Sequence, residues 1–399
     1  MTAYLDNAAT TKPKKEVIDA MMPYLTEKWF NPSSLYASAL DIKNDIENAR
    51  CTIAEFIEAD KNEIFFTSGG SESNCWAIQG FVNECRSKCK TPVIITSLIE
   101  HKSILECVKN LNDTNIHFIG VDKNGFVNIK ALEELLKIES FKRDHEVLVS
   151  IQYANNEIGT RQPVSEIAEL THKYNAIFHT DAVQAFGHLP IDVRESNIDM
   201  LSASGHKIGT PKGIGFLYKK ENIKIKPLIY GSQMDGMRGG TENVPYIIGM
   251  AKAVELLNTD ELNLFGRFMN VSCKKNYLVN MLIKRFGCKL NGYPLHRLPN
   301  NANITFPQNI TGEALLYMLD MSGFQISTSS ACDSHSIEPS HVLKAIGLSD
   351  EEAMRTIRIS LSDDITDREI NKFIDELDKA IKIIESESEW QEKANQESI

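Results

Sequence analysis

Residues 146–153 read EVLVSIQY and residues 176–182 read AIFHTDA, and the reading of this pair decides the fold. Both runs are short and nearly continuous in apolar residues, the pattern of strands covered on two faces rather than one. Between them, Pro163–Tyr174 opens on proline and repeats Ile167, Leu170 and Tyr174 at helical spacing. Strand, helix, strand is the unit that lays parallel strands side by side under a covering helix. The same alternation continues outward. Glu63–Ser68 (EIFFTS), Pro92–Ser97 (PVIITS) and Ile116–Val121 (IHFIGV) precede the pair, and Met200–Ser204 (MLSAS) and Ile214–Lys220 (IGFLYKK) follow it. Ser71–Lys88 gathers Cys75, Ile78, Phe81, Val82 and Cys85 on one helical face. Seven strand candidates of this kind predict an α/β layer around a mostly parallel seven-stranded sheet.

The C-terminal third changes character. A long amphipathic stretch, Leu262–Phe286, leads to NANITFPQ near Asn303 and QISTSSACDS near Ser329, with helices expected over Ser340–Ile346 and Asp367–Ser386. This predicts a smaller α+β domain, ending in a polar tail after Glu387 that frays.

The chain has 399 residues, 24% charged and 42% hydrophobic, enough for a sizeable buried core. Its formal net charge of −11 argues against a broad nucleic-acid footprint. No apolar h-region follows the first residues and no apolar run of about 18 residues occurs, so neither a signal peptide nor a membrane span is expected. The eight cysteines are scattered, which points to a reducing, cytoplasmic home rather than a disulfide framework. Cys85 and Cys89 lie one helical turn apart, but no second pair follows at zinc spacing, so no metal site is expected.

Four segments carry chemistry. In Ser202–Gly215 (SASGHKIGTPKGIG), Lys207 follows a strand and is framed by Gly205, Gly209, Pro211 and Gly213. An arbitrary loop lysine is a solvated charge. Here small residues let a ligand approach, and Ser204 and His206 supply donors for an anion. Such a lysine suits a Schiff base with a carbonyl cofactor. In AIFHTDAVQ, Asp181 ends a strand where α/β sheets bind ligands. It either caps the next helix or partners the pyridinium nitrogen of pyridoxal 5′-phosphate (PLP). Gln184 lies within reach of the ring hydroxyl. In Thr67–Asn74 (TSGGSESN), two glycines precede a helix start at Ser71, a phosphate cradle or a plain turn. It is neither a Walker loop nor a dinucleotide fingerprint. In Ser327–Ser334 (STSSACDS), Cys332 sits among small polar residues and is a candidate nucleophile. His101 opens a helix and suits stacking on a ring. Asn155–Glu157 lies on the ligand edge or simply forms a turn. Arg358, in RTIRISL, is a structural residue or a clamp for a carboxylate.

Together these segments resemble the NifS/IscS-type cysteine desulfurases, PLP-dependent members of the class V aminotransferase family. The resemblance rests on DNAATT at Asp6–Thr11, NPSS at Asn31–Ser34, EHKSIL at Glu100–Leu105, NNEIG at Asn155–Gly159 and HTDAVQAFG at His179–Gly187. SGHKIGTPKGIG, RGGTENV at Arg238–Val244, and SSAC followed by EPSHVLKAIG complete it. It implies the type I PLP-dependent transferase fold, with a large domain over 15–260 and a smaller domain from 1–14 and 261–399. It implies PLP on Lys207 as a Schiff base, with Lys207 also the proton shuttle. Asp181 then pairs with the pyridinium nitrogen, Gln184 and Asn156 with the ring hydroxyl, and His101 with the ring face. Gly70, Ser71, Ser204 and His206 hold the phosphate, joined by Thr241 from a second subunit, which implies a homodimer. Cys332 is the persulfide-forming nucleophile and Arg358 clamps the substrate carboxylate, with Asn31 near it. The implied partners are L-cysteine and a sulfur acceptor, such as an iron–sulfur scaffold or a tRNA-thiolation enzyme. No resident metal is implied, although a persulfide on Cys332 could transiently hold an iron–sulfur cluster.

Some positions depart from the family pattern. Tyr36 and Ala39 stand where relatives often show His and Gly, and Ser362–Asp364 replaces a basic and aromatic stretch beside the clamp. Selenocysteine lyase and β-eliminating lyase activities use the same fold, and a non-catalytic sulfur-relay scaffold is the further alternative. Elimination would not need Cys332, and a scaffold would not need Lys207, Asp181 and Cys332 together.

Overall fold

The computed structural model describes residues 3–258, 264–307, 310–328 and 339–397. After a two-residue strand, β1 (Ala3–Tyr4), the chain builds one sheet from β2 (Ile64–Thr67), β3 (Thr91–Ser97), β4 (Asn115–Ile119), β5 (His145–Ser150), β6 (Ile177–Asp181), β7 (Met200–Ser204) and β8 (Gly215–Lys219). These seven strands are ordered β2-β8-β7-β6-β5-β3-β4, and they are the seven read from the sequence. Only β8 is antiparallel to its neighbours; the other pairs run parallel.

The largest shift of a strand end is at EVLVSIQY, where β5 stops at Ser150. Beyond it the amides of Ile151 and Tyr153 still donate to His179 O (3.1 Å) and Asp181 O (2.8 Å). The chain thus peels off the sheet gradually, carrying Gln152 and Asn155 into the loops at its edge.

Helices cover both faces: α1 (Lys15–Thr26), α2 (Ala37–Phe56), α3 (Gly70–Ser87), α4 (Lys102–Lys109), α5 (Ile129–Ser140), α6 (Val164–Lys173) and α7 (Val244–Asn258). Successive strand residues alternate between two cores. Val93, Ile95, Val147 and Val149 pack with α2, α6 and α7, while Ile94 and Leu148 pack with Trp76, Phe81 and Ile104 under α3 and α4. This is why the strands lack polar alternation.

The rest of the described chain contains α8 (Leu264–Phe286), β9 (Lys289–Leu290), β10 (Asn301–Thr305), α9 (Gly312–Met321), β11 (Phe324–Gln325), β12 (Ser327–Thr328), α10 (His341–Ala345), α11 (Asp350–Met354), β13 (Thr356–Ser360) and α12 (Asp367–Glu397). Most of it forms a second core, while α10 and α11 pack Val342, Leu343 and Ala353 with Ile99 and Ile158 from the large sheet's loops. The antiparallel order β12-β13-β10-β9 carries Ile304, Ile357 and Ile359 against Leu282, Phe373 and Leu377. Ala3 and Leu5 join this core, because β1 pairs with β11. The expected end of the last helix at Ser386 is corrected. The helix continues to Glu397, through a stretch (SEWQEKANQE) rich in helix formers and free of glycine and proline. No helix among the described residues is long and apolar enough to cross a membrane.

Candidate active site

Because β8 alone is reversed, the C-terminal ends of β2, β3, β5, β6 and β7 share one edge. Loops leaving that edge meet the second core around a cavity of about 320 Å³. Such an edge is where open α/β sheets bind ligands. Gly70, Ser71, His101, Asn156, Asp181, Gln184, Ser204, His206, Lys207 and Arg358 all line it.

Lys207 ends a single 3₁₀ turn, Gly205–Lys207, that follows β7 directly. The turn is tight: a Cβ on Gly205 would lie 2.4 Å from Thr210 Oγ1. The Lys207 ammonium is buried and donates to Ala8 O (2.6 Å) and Ala9 O (2.7 Å). The same N-terminal segment grips the lysine loop from outside. Thr11 Oγ1 donates to His206 O (2.9 Å) and accepts from Gly209 N (2.8 Å), while Gln184 Nε2 donates to Ala8 O (2.9 Å). The DNAATT motif is therefore a strap that positions Lys207, a role its composition does not disclose. Gln184 lines the cavity, and one of its amide protons is given to that strap.

Asp181 both caps and points inward. Its Oδ1 accepts from Val183 N (2.9 Å), and its Oδ2 accepts from Asn74 Nδ2 (2.7 Å). Asn74 also donates to Ser103 Oγ (2.9 Å), which contacts His101 Nδ1 (2.8 Å). The backbone N–H of Ser103 donates to the same Nδ1 (3.1 Å), which assigns the proton of the neutral ring to Nε2. Burial lowers the His101 pKa, Asp181 raises it and Lys207 lowers it again. His206 is pulled down to about 4, first by burial and then by Lys207 and Lys212, so it is a neutral donor or acceptor near pH 7. Asn74 lies within TSGGSESN, and its distance from Asp181 along the chain hides the contact from a local reading.

On the opposite wall, Arg358 of β13 donates to Asp6 Oδ1 (2.7 Å) and Asn156 O (3.2 Å), leaving its Nε buried with no partner among the described residues. Glu157 lies beside it. Burial pushes its pKa up to about 7, against the hydrogen bond from Ser340 Oγ (2.5 Å) and the charge of Arg358.

Two expected site residues are not brought to this cavity, and a third lies outside the described residues. Asn31 is exposed, its Oδ1 taken by Ser33 N (2.9 Å) in a local turn after α1. Thr241 is exposed in the run before α7, outside the cavity of its own chain. Cys332 lies outside the described residues, although Ser327 and Thr328 on one side of it line the cavity and Ser340 on the other side meets Glu157. The departing stretch Ser362–Asp364 does not line the cavity either. Asp363 faces Arg267 (3.4 Å), so Arg358 keeps its own surroundings.

The family model described as "Aminotransferase class-V" matches residues 3–373. The chain belongs to the class-V aminotransferases. It is 44% identical to the protein named "Cysteine desulfurase IscS" of Methanosarcina thermophila, over 93% of this chain and 90% of that one. A solved "NIFS-LIKE PROTEIN" superposes with a TM-score of 0.87 at 33% identity, covering 96% of this chain and 100% of that one. A structure titled "SspA in complex with cysteine" does so at 0.78 and 36% identity, covering 90% and 99%.

Class-V aminotransferases are PLP-dependent, and the residues of this chain fit that cofactor. A Cβ on Gly70, the first residue of α3, would lie 2.4 Å from Val183 Cγ2, so only glycine leaves the helix start open beside Ser204. Free amides there, with the Ser71 and Ser204 hydroxyls, suit a phosphate. Glu72, in the same first turn, is turned aside by Arg238 (2.9 Å) and Ser68 N (2.7 Å). Lys207 and Asp181, which line the same cavity, are an amine and a carboxylate that would suit the cofactor's aldehyde and ring nitrogen.

Proposed function

We propose that this class-V aminotransferase is a cysteine desulfurase that takes sulfur from L-cysteine, leaves L-alanine, and holds the sulfur as a persulfide on Cys332. The observation that carries the reading is the arrangement of Lys207, the Asn74-held Asp181 and the partly unpaired Arg358 around one cavity.

When bound, PLP supplies an electron sink for the substrate Cα. Asp181 keeps the ring nitrogen protonated, and Asn74 keeps Asp181 aimed at it. Arg358 takes the substrate carboxylate from the cavity wall, which fixes the Cα–H bond toward Lys207. Lys207 Nζ removes that proton and later returns protons to the carbon skeleton. Cys332, as a thiolate, attacks the substrate sulfur; the C–S bond breaks as the S–S bond forms. His101 would cover the face of the bound ring and keep water from it. Thr241 and Asn31, exposed in the single chain, suit a homodimer in which Thr241 of the partner subunit completes the phosphate site. The acceptor is a sulfur-carrying protein, an iron–sulfur scaffold or a tRNA-thiolation enzyme, in a reducing cytoplasm.

The test is alanine and sulfide production from L-cysteine with a thiol reductant. Lys207→Ala should abolish both, and Cys332→Ala should abolish persulfide formation. Undiminished activity in either variant overturns the assigned role.

A further inference from the structure

The first turn of α3 carries a charge that works against a phosphate site. Ser73 N donates to Gly69 O (3.1 Å) as the first bond of the helix ladder, so the amides of Gly70, Ser71 and Glu72 precede it. Gly69 stands at the cap and has no side chain to satisfy them. The helix start thus offers donors and the positive end of its dipole to an anion. Glu72 is the third residue of the same turn. A glutamate at this position is suited to fold back onto the amides at the helix start, as in a capping box. There its carboxylate would both occupy donors and repel a second anion.

Glu72 is instead held by Arg238. The arginine Nε donates to Glu72 Oε1 (2.9 Å) and Nη2 donates to Oε2 (3.2 Å), a two-pronged pair whose side chains are 19% and 11% exposed. Oε2 also accepts from Ser68 N (2.7 Å). Burial alone would raise the Glu72 pKa, but the bonds from Arg238 and Ser68 outweigh it and keep the carboxyl below its usual range. Glu72 therefore stays an anion, with its charge offset by Arg238. Gly70 and Ser71 line the cavity, and neither Glu72 nor Arg238 does.

Arg238 is itself fixed from behind. Gly239 N donates to Ile229 O (2.8 Å) and Gly240 N to Gln233 Oε1 (3.0 Å). A Cβ on Gly239 would lie 2.2 Å from Tyr230 O, so the loop closes on itself immediately after the arginine. The guanidinium needs little further ordering to reach Glu72. Within RGGTENV, Thr241 has a part in the proposed reaction and Arg238 has none.

We propose that Arg238 is a positioning residue for the cofactor: it holds the Glu72 carboxylate away from the start of α3 and so keeps the phosphate cradle open. This role rests on the PLP site described above and adds a residue that acts on it through Glu72 alone. Its effect is selective. A ligand that carries a phosphate depends on Arg238, and the same aldehyde without a phosphate does not. Loss of Arg238 harms binding through the carboxylate it releases, so removing the charge of that carboxylate as well undoes the harm.

The full-length chain is titrated with PLP and, separately, with pyridoxal, and the bound aldehyde is read from its absorbance band. Arg238→Ala should weaken PLP about tenfold, the scale of a charge at a partly buried helix terminus, and leave pyridoxal within about twofold. Adding Glu72→Gln to Arg238→Ala should bring PLP back to within about threefold of the natural chain, which a lost scaffolding contact would not allow. Unchanged PLP binding in Arg238→Ala, equal loss of PLP and pyridoxal, or a double variant as weak as the single one would overturn the proposal alone. A natural chain that binds PLP no more tightly than pyridoxal would overturn the phosphate cradle, and the proposal with it.

Discussion

Asn74 Nδ2 lies 2.7 Å from Asp181 Oδ2, a bond between residues 107 positions apart that ties the first turns of α3 to the end of β6. An aspartate that must hold a proton on a ring nitrogen needs a fixed direction. Asn74→Ala leaves Oδ2 without that donor and leaves Ser103 Oγ only its contact with His101. We expect a fall in kcat of about tenfold, the worth of one buried hydrogen bond at roughly 1–2 kcal/mol. Steady-state kinetics with a spectrum of the bound cofactor checks it; unchanged kinetics would show that Val183 N alone orients Asp181.

Arg358 lines the cavity, with Asp6 and Asn156 holding its two terminal nitrogens and its Nε buried with no partner among the described residues. Arg358→Lys keeps a charge but loses the fork. KM for L-cysteine should rise about 10–100-fold, since a charged hydrogen bond contributes about 1.5–3 kcal/mol, with kcat less affected. A loss confined to kcat would contradict a binding role.

Ser340 is the first described residue after Cys332 that bonds to the large sheet's loops, through Glu157 at 2.5 Å. His341 Nε2 adds a bond to Glu100 O at 3.0 Å. Ser340→Ala should slow persulfide formation on Cys332 several-fold while leaving the cofactor spectrum intact. Single-turnover persulfide labelling measures this, and an unchanged rate would reduce the contact to scaffolding.

Glu100 is fully buried, and burial raises its pKa to about 8, against donation from Ser97 Oγ (2.5 Å) and Gln152 N (2.9 Å). Its usual value is 4.5, so the folded chain binds this proton more tightly than the unfolded chain between 4.5 and about 8. Stability therefore falls as pH rises through that window and levels off above it. Glu157, raised to about 7, adds a slope of the same sign. Glu100→Gln should flatten the dependence, gaining a few kcal/mol over the natural chain at pH 8 and little at pH 5. Urea midpoints at the two pH values decide it, and parallel curves for the two proteins would refute it.

Much of this molecule is written locally. Ile94 and Ile95 are adjacent and apolar because they feed opposite cores, so the doubly covered sheet could be read from runs such as PVIITS. Lys207, Asp181 and Gly70 announce themselves at strand ends beside glycines, and family motifs supply their roles. The α12 overrun shows the limit of local reading: polarity suggests fraying, while helix propensity carries the chain on to Glu397.

Contacts between distant segments are decided elsewhere. That DNAATT straps Lys207 and that Asn74 steers Asp181 depends on which loops the reversed strand β8 and the β6–β7 pairing bring to one edge. Side-chain periodicity encodes which face is buried, because burial acts on each residue alone. The partner of a buried polar atom is set by the packing of whole elements, and no single stretch of chain holds that information.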